Sequence, residues 1–249
     1  MKAVYLTTDD PIYLPEFYDR VLSGAPGRTQ AVFVVPPLYK KQSTIAAGLR
    51  YARTFGLLDA VRLTGRVLGT RLKNQSIAAT CRRHGVLCED IADVNAPEFL
   101  ARLRAMAPDV LVSVSCPQIF RRPLIELAPL GVLNIHGAIL PQYRGVLPSF
   151  WMLANGERQA GVSIYFVNEK IDAGDRCGLT IFDITPDDTL DSFLRRSKRV
   201  AAELLLEVMS KVEAGTAPRE PLDLKEGSYY SWPDPPAVER FRAAGRRVW

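Results

Sequence analysis

Histidine is the scarcest ionisable residue in this chain, with two copies, His84 and His136, among 249 residues. Cysteine is also sparse. Four cysteines, at 81, 88, 116 and 177, are too few and too scattered to staple a chain of this length. Cys81, His84 and Cys88 fall close together in CRRHGVLCED. No second Cys/His pair completes a tetrahedral set, so this cluster is expected to be structural and no metal site is expected. No apolar run reaches the length of a membrane span. The N-terminal MKAVYLTTDD lacks the apolar stretch and small-residue cleavage site of a secretory signal, so a soluble, cytoplasmic protein is expected. Neither G-x-G-x-x-G after the first strand nor G-x-x-x-x-G-K-[ST] anywhere is present. Those absences argue against a dinucleotide enzyme and a P-loop NTPase.

What is present is an ordinary globular balance of 47% hydrophobic and 24% charged residues, with a net charge of +5. The charge is unevenly spread. Between Pro36 and Gly85 there are ten lysines and arginines against one acid, Asp59, and the C-terminal RFRAAGRRVW is basic too. Such a bias suits an anionic partner: a phosphorylated substrate, a nucleic acid or a membrane surface.

Short apolar runs (residues 2–7, AVFVV, VLVSV, VLNIH) alternate with helical patterns. This rhythm predicts an α/β protein with an open, mostly parallel sheet flanked by helices. Asn95 and Pro97 predict a helix start, with asparagine as the cap. Residues 38–73 interrupt the rhythm as a basic helical insert, which Gly48, Gly56, Gly65 and Gly69 are expected to divide into shorter pieces. GVSIYFV and CGLTIFDI read as paired strands flanking NEKIDAGDR, and residues 189–214 read as one amphipathic helix. The expected organisation is a main domain over 1–214, with a C-terminal extension over 215–249 wrapped on its surface. The aromatic residues Tyr229, Tyr230 and Trp232 of that extension either stack on a base or cover core surface.

The chemistry concentrates in GVLNIHGAILPQYRGVLP, residues 131–148. Ligands of open parallel sheets gather beyond the carboxyl ends of the strands. Asn134 and His136 stand at such an end, and residues i and i+2 of a strand share a face. An amide and an imidazole N–H aimed at one point would stabilise a developing oxyanion. The loop that follows is stiffened by Pro141 and Pro148.

NIHGAILPQYRGVLP closely resembles the Asn-x-His motif and Leu-Pro loop of the formyltransferases that use 10-formyltetrahydrofolate, and NEKIDAGD resembles the same family's Asp-x-Gly loop. The resemblance runs from about residue 110 to 189 and implies the Rossmann-like formyltransferase fold. It further implies that Asn134 and His136 hold the formyl oxygen, while Asp172 orients the histidine and relays the proton of the attacking amine. Ser115, Cys116, Pro117, Gln118 and Ile119 would line one wall of the pterin pocket, and Asn168, Lys170, Ile171 and Asp172 the other. Gly137, Tyr143 and Arg144 would meet the acceptor. The family's serine two residues after the histidine is replaced by Ala138.

An amine attacking the formyl carbon drives negative charge onto the formyl oxygen and must itself lose a proton, which is the work these residue types can do. The acceptor implied is a small amine, phosphorylated or nucleotide-linked, such as an amino sugar nucleotide. Only 35 residues follow the last long helix, which disfavours methionyl-tRNA without excluding it. A formyltetrahydrofolate hydrolase and a non-catalytic nucleic-acid-binding module are the alternatives from other classes. A homodimer is open, as some relatives form one.

Overall fold

The computed structural model describes residues 1–36 and 44–249. Lys40 and Lys41 of the basic run therefore lie outside the described residues, and of residues 44–47 only the backbone is described.

In the first half strands alternate with helices. β1 (Ala3–Thr8) leads to α1 (Leu14–Gly24), β2 (Thr29–Val35), α2 (Thr44–Phe55), α3 (Leu57–Leu72), α4 (Ile77–Arg83) and β3 (Leu87–Asp90). α5 (Pro97–Met106), β4 (Val110–Val114), α6 (Arg122–Ile125) and β5 (Val132–His136) follow. The second half holds β6 (Arg144–Gly145), α7 (Pro148–Ala154), β7 (Gln159–Phe166), β8 (Arg176–Asp183), α8 (Leu190–Glu213), β9 (Tyr229–Tyr230) and α9 (Pro235–Ala243).

Seven strands form one sheet in the order β3-β2-β1-β4-β5-β7-β8. The five strands from β3 to β5 are parallel, while β5–β7 and β7–β8 are antiparallel. β1, β2 and β4 are almost wholly buried, as their continuous Val/Leu/Phe runs require of strands covered on both faces. One face packs on α1 and α8 around Tyr5, Phe17, Tyr18 and Leu205. The other packs on α5 and α6 around Phe33, Phe99 and Leu124. A third apolar cluster lies beyond the sheet, where Phe55 of α2, Phe150 of α7 and Phe241 of α9 meet. Phe150 lies 5.0 Å from Phe241 and 5.7 Å from Phe55 by ring centroids. The C-terminal extension thus packs Tyr230 and Phe241 against α7 and Trp232 beside Phe55 of α2.

Two expectations for local structure are corrected. Asn95 is not the cap of α5: Ala96 occupies that position without a side-chain cap bond. The Asn95 amide instead donates to the Ile119 carbonyl at 2.9 Å and accepts from the Arg121 N–H at 2.9 Å, bracing the loop after β4. In the insert, Gly56 alone separates two helices, at φ 103°, whereas Gly48 lies within α2 and Gly65 and Gly69 within α3. A helical glycine costs about 1 kcal/mol relative to alanine, too little to break a sixteen-residue helix by itself.

His84 Nε2 is 2.9 Å from Asp19 Oδ1, and Cys81 lies buried in the main core, a free thiol like Cys88.

Candidate active site

The cleft opens beyond the carboxyl ends of β4 and β5, one strand from the point where the chain reverses its direction of travel across the sheet. Sheet register aligns the groups at its floor. Ser113 of β4 lies directly across from Asn134 of β5, which lies directly across from Tyr165 of β7; two pairs further on, His136 faces Ser163. Opposed residues share a face and stand close enough to bond.

Asn134 Nδ2 donates to Tyr165 Oη at 3.0 Å, and Tyr165 Oη donates to Asp172 Oδ1 at 2.9 Å. The second carboxylate oxygen of Asp172 accepts the Gly145 N–H at 2.8 Å. Asp172 has φ 47°, a left-handed conformation that aspartate tolerates better than most residues. His136 is buried behind this line. Its Nδ1 is 3.7 Å from Asp172 Oδ1 and its Nε2 is 2.8 Å from the Tyr143 carbonyl oxygen. A carbonyl only accepts, so Nε2 carries a proton and Nδ1 is the nitrogen left free to exchange one. Burial first, and then the Asp172 charge, hold the Tyr165 hydroxyl far above its ordinary range, so it stays a neutral donor.

The four side chains meet, though not as the Asn-x-His spacing suggested. Asn134, Tyr165 and Asp172 line a cleft of about 280 Å³, and His136 does not. Asn134 keeps one amide hydrogen without a partner among the described residues, whereas both imidazole nitrogens face protein atoms.

Cys116, Pro117, Gln118 and Ile119 form one wall, and Asn168, Lys170 and Ile171 with Asp172 form the opposite one. Ile119 and Ile171 are 65% and 50% exposed, an unusual pair of apolar side chains left bare at one cleft. Burial pushes the Cys116 thiol up to about 12, so it remains a neutral part of the wall. Gln118 pins this wall to the β3–α5 loop through the Val94 N–H and the Ala92 carbonyl.

Four expected site residues are placed elsewhere. Ser115 is exposed and its hydroxyl accepts from Lys198 Nζ at 2.8 Å, outside the cleft lining. Gly137 packs towards Ser197, Pro148 and Ser149. Tyr143 is buried, its hydroxyl donating to Glu157 and its ring stacked on Tyr230 at 5.2 Å. Its contribution to the site is its carbonyl. Arg144 stands beside the cleft in β6, its Nε buried without a partner, and is not part of the lining. The hydroxyl missing at Ala138 is supplied from across the sheet: Ser163 Oγ donates to the Ala138 carbonyl at 2.7 Å and accepts the Leu140 N–H at 3.0 Å.

Tyr165 lines the cleft and was missed by the sequence reading, which named Tyr229 only as an aromatic that either stacks on a base or covers core surface. Tyr165 could have been found by pairing VLNIH antiparallel with GVSIYFV, because a strand returning beside Asn134 must set one residue opposite it. Nothing local marks Tyr229, which reaches the cleft through the C-terminal extension.

An open α/β sheet here gathers an amide, a carboxylate and an imidazole at a cleft with apolar lips. A family model described as "Formyl transferase" matches residues 68–209, more than half of the chain, and the chain belongs to that family. It is 29% identical over 191 residues to the methionyl-tRNA formyltransferase of Trichlorobacter lovleyi, covering 73% of this chain and 60% of that one. It is 34% identical over 171 residues to the methionyl-tRNA formyltransferase of Symbiobacterium thermophilum, covering 69% and 52%. The chain thus spans roughly half the length of the curated relatives it matches. Among solved structures, glycinamide ribonucleotide transformylase 1 from Symbiobacterium toebii superposes with a TM-score of 0.60 at 17% identity, over 90% of this chain and 94% of that one. An N-formyltransferase from Helicobacter canadensis, solved with folinic acid and dTDP-3-aminofucose, superposes at 0.59 and 17%, over 93% and 71%. These likenesses bear on the fold.

Proposed function

We propose that this chain transfers a formyl group from 10-formyltetrahydrofolate to the primary amine of a small molecule, with a nucleotide-linked amino sugar as the acceptor class. The observation that carries this reading is the free amide hydrogen of Asn134 beside a doubly bonded Asp172, at the base of a cleft whose lips are Ile119 and Ile171. At about 280 Å³ the cleft is close to the lower bound of about 300 Å³ for small-molecule sites and suits one planar bicyclic ring between two apolar lips. When bound, the donor would supply an activated formyl carbon.

Within that reading Asn134 donates its free amide hydrogen to the formyl oxygen as charge builds there. Asp172 takes the proton that the amine sheds on forming its new C–N bond, His136 Nδ1, 3.7 Å behind, shares it, and the same proton would pass to N10 of the donor as the formyl C–N10 bond breaks and tetrahydrofolate leaves. Tyr165 is a positioning residue: its single hydroxyl fixes the Asn134 amide and the Asp172 carboxylate relative to each other. His136 acts through Asp172, not on the formyl oxygen.

The sequence relatives favour a second acceptor, since the curated proteins matched at 29% and 34% identity are named methionyl-tRNA formyltransferases. One screen separates the readings. The protein is incubated with 10-formyltetrahydrofolate and, in parallel, nucleotide-linked amino sugars, simple amines, methionyl-tRNA or no amine, and formylated product and formate are both quantified. Formyl transfer to an amino sugar nucleotide supports the proposal. Transfer to methionyl-tRNA alone replaces the acceptor. Formate release that is independent of any amine replaces transfer with hydrolysis.

A further inference from the structure

The aromatic residues of the C-terminal extension divide into two kinds. Tyr230 is stacked between Tyr143 at 5.2 Å and Trp151 at 4.6 Å, and Trp232 packs beside Phe55 with its Nε1 donating to Thr54 Oγ1 at 3.0 Å. Both cover core. Tyr229 does not: it is 55% exposed, the one aromatic side chain among the large exposed hydrophobics of the described residues, and it lines the cleft.

Its position is fixed rather than incidental. β9 pairs with β6 in parallel, Arg144 opposite Tyr229 and Gly145 opposite Tyr230. The ladder is closed by Arg144 N–H to the Ser228 carbonyl at 3.0 Å and Val146 N–H to the Tyr230 carbonyl at 2.8 Å. The Tyr229 ring lies across Gly145, where a Cβ would stand 3.1 Å from its Cε2 and 3.2 Å from its Cζ. Gly145 is the residue whose N–H holds Asp172. An exposed ring is therefore presented in the cleft beside Gly145, whose N–H holds the carboxylate. Its register partner Arg144 has a buried Nε without a partner and no ion pair among the described residues.

A bare aromatic face whose register partner is an arginine without an ion pair has the chemistry that recognises a base with its phosphate. We propose that Tyr229 is the acceptor-specificity residue of this site, stacking on the nucleobase of a small nucleotide-linked amine. The inference rests on the formyl-transfer reading for its purpose, and on the cleft geometry alone for its location.

Binding is measured by calorimetry on the full chain without turnover, using UDP and dTDP as probes, ribose 5-phosphate as a probe lacking the base, AMP to represent an RNA terminus, and 5-formyltetrahydrofolate for the donor. Tyr229→Ala is expected to weaken UDP and dTDP by about tenfold or more, as loss of one base–aromatic stack does, with Tyr229→Phe close to wild type. Ribose 5-phosphate and the folate should bind both variants as they bind wild type. Unchanged nucleoside diphosphate binding in Tyr229→Ala, or a loss of folate binding in its place, overturns the assignment. AMP binding well above UDP and dTDP overturns the small-nucleotide source in favour of an RNA end. Failure of formyl transfer to every amine, with these affinities intact, would count against the transfer reading and leave the stacking site standing.

Discussion

Removing the hydroxyl of Tyr165 takes away both the bond it accepts from Asn134 and the bond it donates to Asp172. Tyr165→Phe keeps the ring in its buried place, so the cost in stability should stay near the 1–3 kcal/mol of an unpaired buried group. The turnover number should fall roughly tenfold while the donor's KM changes little, because the hydroxyl positions groups and does not hold substrate. A purely structural tyrosine would lower the melting temperature without that split. At this scale the sequence was partly legible. Asn134, His136 and Asp172 were found from motif and strand parity, but parity places side chains on a face without saying how far each reaches. His136 lies two residues closer to the β5–β6 loop, where the Tyr143 carbonyl captures it, and so it stands behind the carboxylate instead of beside the amide.

Among the elements, the two-residue ribbon of β6 and β9 carries the most weight for its size. Gly145 has φ 96°, and a Cβ there would stand 2.2 Å from the Tyr230 carbonyl oxygen. Gly145→Ala therefore must open the ribbon, at a cost of about 1–3 kcal/mol in strain, and it drags away the N–H that holds Asp172. Activity should be lost well before the fold, which circular dichroism and a turnover assay on the same sample would establish.

A pH effect belongs to the packing of α1 on α4. His84 first, and Arg83 after it, hold the Asp19 carboxyl below its ordinary range. Its folded-state pKa thus lies below the unfolded one, so the stabilisation is present above the unfolded value and lost as pH falls through the folded one. Denaturation midpoints of wild type and Asp19→Asn should differ slightly at neutral pH and converge in acid.

Long periodic elements such as α8 were readable, with Thr189 and Ser192 capping it reciprocally. The ribbon was not, because it has too few residues for any period and exists only because Ser228 and Tyr230 return from far along the chain. The Asn95 cap failed for a related reason: Ile119 and Arg121 offered that side chain better partners than the helix did.

At the scale of the molecule, the C-terminal extension is part of the body that builds the site. Phe241 is 1% exposed and stacked on Phe150, so Phe241→Ala should cost about 3–5 kcal/mol and loosen α9 from α7. Because Tyr229 and Tyr230 lie on the same extension, the acceptor KM should rise with that loss, a coupling measurable by comparing thermal stability and kinetics. The α/β class and the parallel half of the sheet followed from composition and strand spacing. The pairing of β7 with β8 was also readable, from GVSIYFV and CGLTIFDI on either side of one loop, whereas the antiparallel seating of β7 beside β5 and the aromatic cluster shared by α2, α7 and α9 depend on contacts between distant segments, which one sequence does not display. Among the described residues no helix is long and apolar enough to cross a membrane.

The account turns on Asn134 and Asp172 acting together on a formyl group in the cleft. Its most direct test follows a ¹³C-labelled formyl group by NMR, from donor to the best amine acceptor, in wild type, Asn134→Ala and Asp172→Asn at matched donor saturation. The account predicts falls of about a hundredfold or more in transfer rate for each variant, with donor affinity largely retained. Transfer at close to the wild-type rate by either variant would contradict it.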